Sequence, residues 1–120
     1  LITKMATIAV YVSNQQEALT FWTEKVGFEV KRNQPMGPDA SWIELAPPQA
    51  QTCLVIYPKS MMPDAEERKP SIVFETANIQ ETYAKMKENG VDFLEELNQM
   101  PWGTYARFVD PDGNEFLLKE

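Results

Sequence analysis

Phe108-Val109-Asp110-Pro111-Asp112-Gly113-Asn114-Glu115-Phe116-Leu117-Leu118-Lys119 is the stretch on which the reading of the fold turns. Apolar residues flank a cluster of turn formers. Pro111 fixes φ, Gly113 and Asn114 tolerate positive φ, and Asp110 and Asp112 can accept hydrogen bonds from nearby backbone N–H groups. The segment therefore reads as strand, tight turn, strand. Its two carboxylates are read as shaping the turn rather than as metal ligands.

Working outward from the hairpin, residues 71–75 form a strand candidate. Asn78-Ile79-Gln80-Glu81 carries a helix-capping signal, and Ile79, Tyr83 and Met86 make an apolar stripe that stops at Asn89-Gly90. Strand candidates follow at 91–94, 105–109 and 115–119. Residues 98–104 read as a loop that leaves Tyr105 and Arg107 without an assigned face. The second half is thus β-α-β-β-β.

The first half has the same grammar. Residues 5–12 alternate as a strand, and Ser13-Asn14-Gln15-Gln16 opens a helix through a serine hydroxyl and a glutamine side chain. Leu19, Trp22 and Val26 form its stripe, with Trp22 in the core, and Gly27 ends it. Strand candidates at 28–31, 41–45 and 52–57 follow, separated by Pro35, Gly37 and Pro38 and then by Pro47-Pro48. The Pro-rich, charged segment 58–70 reads as a linker. Thr7 corresponds to Ser71, Gly27 to Gly90 and Val55 to Leu117, offsets of 64, 63 and 62. Two copies of one unit, about 5–57 and 71–120, make a single α+β domain over 1–120. Each helix covers one sheet face, so the bare faces are expected to border a cleft: two paired modules forming a curved, half-open mixed sheet.

Composition bounds the function. At 120 residues the chain suits one domain, and its net charge of −7 with scattered Lys and Arg argues against a nucleic-acid partner. No apolar run reaches the ~20 residues of a membrane span. The single cysteine, Cys53, fits a reducing cytoplasm and reads as an inert thiol. Histidine is absent, which removes the commonest metal ligand and general base.

With the repeat and the hairpin in hand, the chain resembles the vicinal oxygen chelate superfamily, which includes glyoxalase I, extradiol dioxygenases and bleomycin resistance proteins. The matching residues are Thr7-Ile8-Ala9-Val10-Tyr11-Val12-Ser13, Phe21-Trp22, Val26-Gly27-Phe28, Trp102-Gly103 and Phe108 through Asn114. The resemblance implies a homodimer with a binding cleft, and in metal-dependent members four ligands: a His or Gln, a Glu, a His and a Glu. Those positions fall here on Thr7, Val55, Ser71 and Leu117. Valine and leucine have no donor atom and neutral hydroxyls are poor transition-metal ligands, so no metal and no other cofactor is expected.

Strand alternation assigns Thr7, Ala9, Tyr11, Cys53, Val55, Tyr57, Ser71, Val73, Glu75, Glu115, Leu117 and Lys119 to the cleft side. Trp42 and Trp102 could stack on a planar or cationic ligand, or pack at an interface. Glu75 on an apolar wall is a candidate base, with Glu44 a weaker one; an ion pair or solvent exposure is the competing reading of both. The leading expectation is metal-independent binding of a small hydrophobic or cationic molecule in a dimeric cytoplasmic protein. The alternative is a lyase or isomerase using a carboxylate or tyrosine in place of the metal.

Overall fold

A computed structural model describes residues 1–120 as two compact units, Leu1–Lys69 and Pro70–Glu120. In the first, β1 (Thr7–Val12) leads into α1 (Gln15–Thr20), followed by β2 (Glu29–Gly37), β3 (Ala40–Ala46) and β4 (Cys53–Pro58). The sheet order is β1-β4-β3-β2, with β1 and β4 parallel and the other pairs antiparallel. The second unit runs β5 (Val73–Glu75), α2 (Ile79–Glu88), β6 (Asp92–Phe93), β7 (Asn98–Met100), β8 (Gly103–Val109) and β9 (Glu115–Lys119), ordered β5-β9-β8-β6, with β7 paired to β8.

The duplication is visible in the registers. Ala9 pairs with Val55 across the parallel β1–β4 ladder, and Val73 pairs with Leu117 across the parallel β5–β9 ladder. These equivalent positions keep the 64- and 62-residue offsets legible in the sequence.

Each core lies on the helix-covered side of its sheet. In the first unit Val10, Val12, Ile43, Leu45, Leu54 and Ile56 are buried together with Ala18, Phe21 and Trp22 from the helical segment. In the second, Phe74, Phe93, Phe108 and Phe116 form a ring cluster with centroids 5.5–6.1 Å apart, joined by Tyr83 of α2 at 4.5 Å from Phe93. Removing these surfaces from water is the main favourable contribution to each unit.

Several local readings need correction. Asn14, not Ser13, caps α1: its Oδ1 accepts from Glu17 N at 2.9 Å, just as Asn78 Oδ1 accepts from Glu81 N at 3.1 Å in α2. The first helix widens into a π turn over Phe21–Lys25, with Val26 N donating to Phe21 O at 3.1 Å. Pro35 and Gly37 lie within β2 rather than ending it, because β2 is an edge strand with register shifts at Val30/Arg32 and Pro35/Gly37. Part of the 98–104 loop is β7, three polar or flexible residues whose pairing with β8 carries no hydrophobic alternation to announce it. The segment 58–70 contains two 3₁₀ turns, Lys59–Met61 and Ala65–Glu67, and a Lys59–Glu66 ion pair at 3.1 Å. Ser71 precedes β5 instead of belonging to it.

Gln15 has a tertiary role that the helix-start reading does not anticipate. The β3–β4 ladder is registered only at Glu44↔Val55 and Leu45↔Leu54. Beyond it, Gln15 Nε2 donates to Ser41 O at 2.7 Å and Ile56 O at 2.8 Å, and its Oε1 accepts from Ser41 N at 3.1 Å. One carboxamide thus bridges the backbone of both strands where they part. Gln15→Ala is expected to lower stability by about 1–3 kcal/mol, because it strands part-buried backbone groups. Urea unfolding would measure this, and a loss within error would show that water replaces the amide.

Candidate functional site

The helix-free face of the first sheet is set by register. Thr7, Ala9 and Tyr11 stand beside Cys53, Val55 and Tyr57, Glu44 stands beside Val55, and Gln34 and Arg32 stand beside Trp42 and Glu44. The intervening residues Val10 and Val12 point into the core, so this set looks away from α1. It is a wall of side chains held on four strands, which makes it more rigid than a loop-built surface.

The aromatic groups of the wall are connected. Tyr11 and Tyr57 meet edge to face with centroids 6.0 Å apart, and Trp42 meets Tyr57 in the same manner at 6.0 Å. All three are half-buried, leaving part of their surface open. Trp42 Nε1 donates to Glu44 Oε2 at 2.7 Å, fixing both the indole and the carboxylate. Arg32 lies opposite Glu44 in the β2–β3 register, yet its Nη2 donates to Gln34 Oε1 at 2.8 Å.

Strand alternation expects Val55 on the ligand-facing surface, but its burial withholds it from a ligand. It is only 1% exposed at the centre of the sheet, between Ala9 and Glu44. Thr7 is exposed at the start of β1. The hydrophobic pattern marked the aromatic residues; Arg32 and Gln34 fall beyond the strand candidate 28–31, and only the longer β2 brings them to this face.

In the second unit Val73, Glu75, Leu117 and Lys119 share one face, and the β8–β9 register now orients Tyr105 and Arg107 onto it, opposite Lys119 and Leu117. Ser71, Val73 and Glu75 are exposed and Leu117 is half-buried. Glu75 stands beside Lys119 in the register, in solvent rather than on an enclosed apolar wall. The burial that a base role would require is therefore missing. Arg107 Nε lies 3.9 Å from Glu95 Oε1, an exposed pair of small energetic value. Trp102, in the turn between β7 and β8, is 71% exposed.

Thr7, Val55, Ser71 and Leu117, the residues on which the resemblance places the family's metal ligands, offer two exposed hydroxyls and no carboxylate or imidazole. Nor does any group of three or more His, Cys, Asp or Glu side chains come together. This donor set does not fit a divalent transition metal.

A concavity of about 500 Å³ lies between α1 and the β2–β3 hairpin, lined among others by Gln16, Leu19, Asn33, Asp39 and Ile43. It opens on the opposite side of the sheet from Trp42, since Asn33 pairs with Ile43 while Gln34 pairs with Trp42.

The fold and this face define a class: an α+β protein of two β-α-β-β-β-type modules, each with one covered and one open sheet face. The chain belongs to the Glyoxalase/Bleomycin resistance protein/Dioxygenase superfamily, whose family model matches residues 4–118. It is 60% identical over 120 residues to "Uncharacterized protein YetH" of Bacillus subtilis (strain 168), covering 100% of both chains. A superfamily member from Sphaerobacter thermophilus superposes with a TM-score of 0.87 at 34% identity, covering 99% of this chain and 98% of that one. TnmS3, an antibiotic binding protein from Streptomyces sp. CB03234, superposes with a TM-score of 0.83 at 32% identity, covering 98% and 95%. No helix is long and apolar enough to cross a membrane.

Proposed function

We propose that the protein binds a small, partly aromatic or cationic molecule, without a metal, on the open face of its first sheet, as a cytoplasmic homodimer whose two modules act as one domain. The observation that carries this reading is the Tyr11–Tyr57–Trp42 chain of rings, held at 6.0 Å spacings on a face that the helix does not cover. Rings fixed in this way offer large contact area at little entropic cost to a flat ligand. The likeness to an antibiotic binding protein supports a binding role, and the donor-poor metal positions support metal independence. Exposed Met5, Val30, Leu94, Met100 and Trp102 provide apolar surface of the kind a dimer would cover.

The test is calorimetric titration of the protein with a panel containing bleomycin, 9-aminoacridine and acridine, before and after dialysis against EDTA. At least one planar compound is expected to bind, with affinity unchanged by EDTA. Tyr57→Ala is expected to weaken that binding roughly tenfold, the scale of one lost aromatic contact. Uniformly absent binding would remove the reading. Binding that is lost with EDTA and restored by zinc would overturn its metal independence.

A further inference from the structure

We infer that Glu44 is the specificity-determining residue of the open face, and that it selects a ligand carrying a protonated nitrogen on a flat apolar body. This rests on the binding role proposed above and names the charge that role recognises.

The geometry begins with Glu44 itself. It sits on β3 beside Val55, the buried centre of the sheet, so its carboxylate rises from the middle of the wall rather than from the rim. Trp42 Nε1 holds Oε2 at 2.7 Å. The indole hydrogen bond aligns the carboxylate but brings no positive charge to it.

The expected counter-ion is diverted. Arg32 is the cation placed opposite Glu44 by register, and its Nη2 is engaged by Gln34 Oε1 at 2.8 Å. The carboxylate consequently has no ion-pair partner within reach, and it is held by Trp42, whose ring is linked through Tyr57 to Tyr11; such rings themselves attract cations through their faces. An ammonium or amidinium group would meet a fixed carboxylate and aromatic faces together, whereas an anionic ligand would meet repulsion. Charge-assisted hydrogen bonds of this kind are about twice as strong as neutral ones. The net charge of −7 favours approach of the same class of ligand.

9-Aminoacridine, cationic at neutral pH, and acridine, largely neutral there, share a ring system and separate charge from stacking. The wild-type protein is expected to bind the cation at least tenfold more tightly by calorimetry at low salt. Glu44→Gln keeps an oxygen for the Trp42 indole and is expected to abolish that preference, weakening 9-aminoacridine about tenfold while leaving acridine unchanged. Equal binding of both compounds, with Glu44→Gln changing neither, would overturn the inference and leave the binding role standing. If neither compound nor bleomycin binds the wild-type protein, the binding role falls and this inference with it.

Discussion

Phe108→Ala is expected to destabilise the protein by about 3–5 kcal/mol, the usual range for deleting a fully buried aromatic ring. Phe108 is 1% exposed and lies on β8 between Phe93 of β6 and Phe116 of β9, its direct register partners. It touches Phe74, Phe93 and Phe116 at centroid distances of 6.1, 5.9 and 5.5 Å. Its loss opens a cavity at the point where three strands meet, and the surrounding backbone ladders limit collapse. Phe108→Leu should cost much less, about 1–2 kcal/mol, because most of the volume is kept. Urea unfolding followed by far-UV circular dichroism would test the pair. Equal costs for the two variants would mean that ring packing is not the source of the effect.

The second large effect is expected at the turn of the opening hairpin. Asp110 is 5% exposed, and its carboxylate accepts from Asp112 N at 3.1 Å, Asn114 N at 2.8 Å and Asn114 Nδ2 at 3.0 Å. Asp110→Ala leaves these donors without their acceptor in a buried turn, and a loss of about 2–4 kcal/mol is expected. Asp110→Asn should recover most of it, since an amide oxygen can still accept from the backbone.

The same residue carries a pH dependence. Burial pushes the Asp110 carboxyl above its ordinary 3.8, outweighing the hydrogen bonds from Asn114 and Asp112 that favour the charged form, while the neighbouring Asp112 charge adds to the rise. Between 3.8 and the raised value the folded state holds a proton that the unfolded chain has released. The Asp110 contribution to stability is therefore full below 3.8, falls as pH rises through that window, and is constant above it. Unfolding free energies of wild type minus Asp110→Asn, measured from acid to neutral pH, should decline and then level. A difference that grows with pH would show that the turn stabilises the carboxylate more than burial penalises it.

This turn also illustrates what residue types convey directly. Pro111, Gly113 and the Asx residues point to a tight turn, and the Asp110 carboxylate accepts three hydrogen bonds within it, which gives Asp110 a structural use. The face assignments were legible for a similar reason: Val10 and Val12 alternate with Ala9 and Tyr11, and period two is a property of extended backbone. β7 was not legible because Asn98, Gln99 and Met100 take their strand form from pairing with β8. The bridging role of Gln15 is not legible in the sequence because a long polar side chain at a helix start can reach several partners, and only the placement of the β3 and β4 backbones decides which it takes.

By itself, then, the sequence determined the duplicated β-α-β-β-β topology, the covered and open faces, and the absence of metal-donor side chains at the four family positions. The first two follow from local conformational preference and periodicity, which act within a few neighbours along the chain; the third combines residue chemistry with positions that the family resemblance supplies. Only the tertiary structure decided that Val55 is buried, that Glu75 stands in solvent, and that Glu44 is held by Trp42 while Arg32 turns to Gln34. Those outcomes depend on register between strands and on which of several reachable partners a long polar side chain takes, and neither is encoded by spacing along the chain.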